Sequence, residues 1–378
     1  MTIPTQILEF AGPSNLAPYK MFSDYFNHFR SIDAGPNGKK YDYQETTTDE
    51  VSGLTVNLSF SEKEDKMNAV LKREILRVAG ITNMTDFPVE TWANHPTLKW
   101  ATFAVVSAMI DMILPQTVIE HIGMYSDVRT IGWGDSAAFD VSPRDLFSVS
   151  KAGRSKRTAY LHKQFKGQVT VIPEPRQMTV FVSLMKVLAG KESLAEFVVK
   201  MTRSFETQLS YDVYDTFYTA MDAIDSSADG LFVTGYSESE FVRLSQTVSA
   251  WNGGAKPIAI GTQLALANIL PSNANYRYEI DSDFVKLGYV RDFKGTSVMV
   301  LPQLADWATP FGLKITNERI WFVSPSSQKL VKVVLEGNAL AYTSDVYANA
   351  NLLQTSTLIK SWGTAIATNA VAGTMDIS

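Results

Sequence analysis

Cysteine is absent from the 378 residues, and histidine is scarce at 4. Without a thiol there is no disulfide framework, thiolate zinc site or cysteine nucleophile. His28, His95, His121 and His162 lie far apart, and none has a second histidine at helix spacing, so they read as surface or satisfied core residues. Long apolar runs are missing as well. The longest, Ala101 to Leu114, is interrupted by Asp111 and closed by Pro115, short of the ~20 helical residues that cross a bilayer. Met1 to Phe10 has no basic residue followed by an apolar stretch, so neither a secretory signal nor a lost propeptide is expected, and a cytoplasmic product is. Positive charge is also in deficit: 34 Lys and Arg against 39 Asp and Glu give a net charge of −5, which argues against a surface wholly devoted to gripping nucleic acid.

Catalytic signatures are missing in the same way. No phosphate loop, Gly-x-Ser-x-Gly elbow or kinase set occurs, and Gly132-Trp133-Gly134 lacks the third glycine and following helix of a dinucleotide site. Asp212 and Asp215, like Asp222 and Asp225, stand one helical turn apart, but a solvated or interface face explains them better than a carboxylate pair. Neither a cofactor nor a metal is expected.

What is present has a definite order. Pro4, Pro13, Pro18 and Pro36 punctuate the first fifty residues among Phe10, Tyr19, Phe22, Tyr25, Phe26 and Phe29, which predicts an extended arm lying on another surface. An ordinary N-terminal strand and helix packed on its own domain is the alternative. Val51 to Phe60 alternates like a half-buried strand, Ser61 caps a helix ending before Gly80, and a second helix covers Pro96 to Leu114. From Ser126 to Val182, two strand-like runs, Ala138 to Val149 and Gln168 to Val182, flank an acid-free tip bearing Lys151, Arg154, Lys156, Arg157, His162, Lys163 and Lys166. A long lone hairpin is marginal in water and needs a partner surface.

Ser193 then caps the longest helix signal, with Leu194, Val198, Met201, Phe205, Leu209, Val213, Phe217, Met221 and Ile224 on one stripe. Glu206, Asp212, Asp215, Asp222 and Asp225 crowd its second half, where acids oppose the helix dipole and call for a nearby cation. After Gly230 comes a compact α/β pattern: helix Glu238 to Trp251, strand Pro257 to Ile260, helix Thr262 to Ile269, a hairpin around Arg291 to Gly295, and strands Arg319 to Val323 and Leu330 to Leu335. A strand-prone tail, poor in charge, follows from Ala339.

This order of parts resembles the HK97-type major capsid protein of tailed bacteriophages. The residues that carry the resemblance are the loop Ser126 to Val182, the helix Ser193 to Ile224 and the Gly230 to Leu335 module, within which Pro257-Ile258-Ala259-Ile260-Gly261-Thr262 and Arg319-Ile320-Trp321-Phe322-Val323 look like the strands of such shells. The resemblance implies an α+β fold with an N-terminal arm (1–50), a peripheral domain (51–125 and 183–229, the latter with its spine helix), an extended loop (126–182), an axial domain (230–335) and a C-terminal return to the peripheral domain (336–378). It implies a non-catalytic shell subunit that forms hexamers and pentamers around double-stranded DNA, held without sequence specificity in a virion capsid assembled in the host cytoplasm. Portal, scaffold and decoration proteins are the other implied partners, and no membrane is.

The loop cations Lys151, Arg154, Lys156, Arg157, Lys163 and Lys166 are then expected to meet Glu206, Asp212, Asp215 and Asp222 of a neighbouring copy. No glutamate follows Asn349 or Asn351, so the lysine–asparagine weld of some family members is not carried over. An encapsulin-like compartment shell is the alternative on the same fold. A soluble α/β enzyme using Asp212, Asp215 or His162 is the alternative from another class.

Overall fold

The computed structural model describes residues 10–11, 15–33, 46–48, 55–57, 60–122, 126–141, 167–181, 193–224, 230–269, 287–324, 329–343 and 355–377. The first half runs through helix α1 (Ala17–Asp33), strands β1 (Thr46–Thr48) and β2 (Thr55–Asn57), and helices α2 (Phe60–Val78), α3 (Val89–Asn94) and α4 (Pro96–Ile122). Strands β3 (Ser126–Ile131), β4 (Ala137–Val141), β5 (Gly167–Val171) and β6 (Glu174–Phe181) lead to helix α5 (Leu194–Asp222). The second half holds β7 (Phe232–Thr234), α6 (Glu238–Trp251), β8 (Ile258–Gly261), α7 (Gln263–Leu266), β9 (Asp292–Phe293), β10 (Thr296–Val300), β11 (Ala305–Asp306), β12 (Gly312–Leu313) and β13 (Arg319–Val323). It closes with β14 (Val331–Thr343), β15 (Thr355–Ile366) and β16 (Gly373–Asp376).

Two mixed sheets organise this α+β fold. A four-stranded sheet has the order β3-β14-β15-β6, and a six-stranded sheet has the order β7-β16-β13-β8-β10-β9. On β13, side-chain alternation feeds two cores at once. Ile320 and Phe322 join the core under α6, where Phe241 meets Phe322 at 4.9 Å. Trp321 and Val323 point the other way into the larger core, where Trp321 meets Phe217 of α5 edge to face at 5.2 Å. Helix α5 thus packs on both sheets and couples them.

Several expectations change on meeting the structure. The chain does not run extended between residues 17 and 33. Pro18 falls in the first turn of α1, where a missing N–H forfeits no helical bond. Tyr19, Phe22 and Phe26 are buried against the chain's own α2 and α4. The Tyr19 hydroxyl donates to Glu74 Oε1 at 2.9 Å, and burial together with that carboxylate holds the phenol well above its usual range. Of the strand expected over Val51 to Phe60, Thr55–Asn57 is strand and pairs with β1. The α2 helix starts at Phe60, so Ser61 lies inside its first turn rather than capping it.

Helix α4 continues through Pro115 to Ile122, because its preceding turns are wholly buried and packing outweighs the one lost backbone bond. By length and composition its Pro96–Leu114 stretch could cross a membrane, yet most of it is buried inside the fold. Leu330–Leu335, expected in the compact module, forms part of β14 and its approach in the other sheet. The tail does not stay with that sheet either, since β16 inserts between β7 and β13 of the six-stranded one.

Candidate functional site: an acidic helix clamped by cations and the root of a hairpin

The start of α5 is built as the sequence predicts. Ser193 caps it, its hydroxyl accepting from the Glu196 N–H at 3.2 Å. Asn68 of α2 adds a second acceptor, taking the Ala195 N–H at 3.0 Å. Its buried stripe includes Val198, Phe205, Leu209, Val213, Phe217 and Met221.

The acids of its second half find cations, but on this chain. Asp212 accepts from Arg176 Nε of β6 at 3.2 Å, from the Trp362 indole of β15 at 2.8 Å and from Gln208 at 2.9 Å. Asp215 pairs with Lys314 at 3.1 Å, and Asp222 pairs with Arg319 of β13. Arg319 also approaches Asp376 at 3.9 Å and lies over the Tyr218 ring at 5.3 Å. Burial works against the Arg319 charge, but Asp222, Tyr218 and Asp376 together raise its pKa. Placing that cation at the last turn also answers the helix dipole. The need for a cation was legible in the sequence, and Asp212, Asp215 and Asp222 meet cations within the subunit itself. Glu206 borders a cavity described below. Lys151, Arg154, Lys156, Arg157, Lys163 and Lys166 lie outside the described residues, as do His162 and Asp225.

Strands β4 and β5 form an antiparallel stem, registered from Ala137↔Val171 to Val141↔Gly167. This is the base of the expected excursion. Phe139 roots it: the ring is buried, with the Arg129 guanidinium 4.1 Å from its centroid and Lys332 Nζ at 5.4 Å. Burial pushes the Lys332 ammonium pKa down, with Asp127 at 3.5 Å opposing that fall.

Beside the stem, the pairing of β14 with β15 shifts register between Glu336 and Leu340. Gly337 sits in this bulge at φ +46°, and a Cβ there would stand 2.3 Å from the Trp133 indole, so only glycine fits under the ring. The Gly134 N–H donates to Glu336 Oε1 at 2.7 Å. Gly132-Trp133-Gly134 is therefore a brace on the bulge. Beneath it Lys360 and Asp111 form a buried pair at 2.6 Å, with Asp111 also accepting the Ala339 N–H at 2.8 Å and Lys360 donating to Gly337 O at 2.5 Å. Burial pushes the Asp111 carboxyl up, against the pull of Lys360. Sequence reasoning saw Asp111 only as an interruption; a lone acid in an apolar run was the available signal of a buried partner.

A cavity of about 290 Å³ lies where α5 passes the six-stranded sheet, and Val213, Phe217, Leu304 and Ile315 are among the residues that line it. Neither Asp212 nor Asp215 lines it. Among the described residues no three His, Asp or Glu side chains gather as metal ligands.

Among curated proteins none matches this chain. Solved structures similar to it include the asymmetric unit of the bacteriophage PhiM1 mature capsid, at 10% identity over 67% of this chain and 85% of that one, with a TM-score of 0.46. The cyanophage Pam1 capsid asymmetric unit is similar at 11% identity over 68% of this chain and 92% of that one, TM-score 0.47. A structure from Mycobacterium phage Bobi is similar at 15% identity over 69% and 89%, TM-score 0.44. A family model described as SPbeta prophage-derived putative capsid protein YonB matches residues 39–376, in keeping with the HK97-type resemblance, and the chain belongs to that family.

Proposed function

We propose that this chain is the major capsid protein of a tailed phage or prophage, assembling as hexamers and pentamers into an icosahedral shell around double-stranded DNA. The family match over residues 39–376 is the observation that carries this reading. The structure supports it through the division of labour it displays: one long helix joins two sheets into a body, and a two-stranded stem leaves that body toward residues 142–166. Those residues include Lys151, Arg154, Lys156, Arg157, Lys163 and Lys166, suited to an acidic surface of a neighbour.

The subunit acts by holding its neighbours and not by catalysis. The acids that an enzyme reading would use are engaged in ion pairs away from the cavity. Portal, scaffold and decoration proteins are the further partners of such a shell, which is assembled in the host cytoplasm and ends in the virion. Expressed alone or with its neighbouring genes, the protein should give closed particles in negative-stain images and a multi-megadalton peak by light scattering. A purified protein that stays monomeric, and is not the dominant band of the particles, sinks the reading. DNA protected from nuclease inside the particle separates a phage capsid from an encapsulin-like compartment.

A further inference from the structure

We propose that the hairpin tip between β11 and β12 of one copy seats in the α5 cavity of a second copy, and that the exchange is reciprocal across a local two-fold axis. The inference rests on the shell reading above, since it needs a second copy held close by.

The tip is unusually apolar for a surface loop. Trp307 is 81% exposed, Phe311 105% and Leu313 58%, a cluster that marks a contact where a single exposed apolar residue would not. Phe311 also holds φ +58°, a conformation disfavoured for a bulky residue, and there its ring stands clear of the fold. The base of the hairpin is fixed. The Tyr211 hydroxyl of α5 donates to Ala305 O, and the Gln303 side chain accepts the N–H groups of Leu304 at 3.1 Å and Ile315 at 2.9 Å. An anchored base with an uncovered aromatic tip is what a docking element requires, because little order must be imposed on binding.

The receptor is the cavity of about 290 Å³. Its lining is apolar at Val213, Phe217, Leu304 and Ile315 and polar at Arg203, Glu206 and Thr207. That division suits a tip whose Trp307 and Phe311 are flanked by Asp306 and Thr309. Leu304 and Ile315 belong to both features: they line the cavity and lie beside the first and last hairpin residues in sequence. At ~3.4 Å per residue, a hairpin this short reaches at most about 15 Å beyond the rim it springs from.

Tip and cavity therefore lie side by side. A head-to-tail ring needs donor and acceptor on opposite faces, whereas neighbouring placement suits an isologous contact in which each copy gives and receives. Two aromatics from each copy would bury on the order of 600–1,000 Å², short of the roughly 1,200–2,000 Å² of a stable free complex. The contact is one made between subunits already gathered in an assembly.

The absence of cysteine makes the test clean. Ala308→Cys in the tip and Thr207→Cys in the cavity would supply the only thiols, and particles of the double variant would be oxidised and run on a non-reducing gel. Covalent dimers are expected as the dominant product. A ladder of higher multiples would overturn reciprocity, and intact particles with no cross-link would overturn the contact while leaving the shell reading in place. Unaltered protein that forms no particles would remove the shell reading and this contact with it. Independently, Trp307→Ser with Phe311→Ser, both exposed and so dispensable for the fold, should lower the assembled fraction at least tenfold in a sedimentation assay. Unchanged assembly would count against the docking.

Discussion

The body around the four-stranded sheet and the module around the six-stranded sheet differ in whether they bury charge, although both bury neutral polar residues. Lys63, Glu74, Asp111, Lys332, Glu336 and Lys360 are the buried charged residues among those described, and all belong to α2, α4, β14 or β15 of the body. The buried polar residues of the six-stranded module, Ser245, Asn252, Thr262, Thr296, Ser324 and Thr374, are all neutral, with Ser245 and Thr296 hydrogen-bonded to each other at 2.6 Å. A core whose buried polar groups are neutral is stabilised chiefly by apolar burial. Buried ions are costly to desolvate and tolerate no loss of a partner, but they fix one geometry. Four of the six sit where geometry is most demanding, Asp111, Glu336 and Lys360 at the β14 bulge and Lys332 at the root of the β4–β5 stem.

The sharpest way to break this comparison is to orphan one buried charge. Lys360→Met should destabilise the subunit by about 3–5 kcal/mol in urea unfolding, because Asp111 is left buried without its partner. Asp111→Leu combined with Lys360→Met should recover most of that loss. A single variant as stable as the double would mean the pair is no brace. In the module, Leu244→Ala should cost about 2–5 kcal/mol as a simple cavity effect, with no second substitution needed to interpret it. Ser237→Ala should cost about 1 kcal/mol, since Ser237 caps α6 by accepting the Glu240 N–H at 3.2 Å. The smallest effect belongs to the junction of the two regions. Asp222→Asn should cost less than about 1 kcal/mol, because Asp222 is half exposed and solvent screens its pair with Arg319; the difference from the unaltered protein should shrink in high salt.

The sequence announced its helices better than its sheets. Helix α5 was legible from Ser193 to its end because its cap, its period and its acids all agree, and α6 was legible from its amphipathic period. The Lys294–Gly295 turn was legible too: both residues have positive φ, as a tight hairpin with right-handed twist requires. Pairings over long separations were not. Asp111 and Lys360 stand 249 residues apart, and neither Arg176 nor Lys314 carries a local sign that it faces α5. The tail was read as strand-prone, but its division between two sheets depends on which edge each strand finds, which alternation does not encode.

The insertion of β16 sets a clock on synthesis. It occupies the slot between β7 and β13, and β7 has no other neighbour in that sheet. Until residues 373–376 leave the ribosome, β13 keeps an open edge and β7 has nothing to pair with. At about 5–20 residues per second, the stretch from β13 to β16 takes roughly 3–10 s to make. During that interval a nascent chain is incomplete in the module that holds the hairpin tip, with the β13 edge still uncovered.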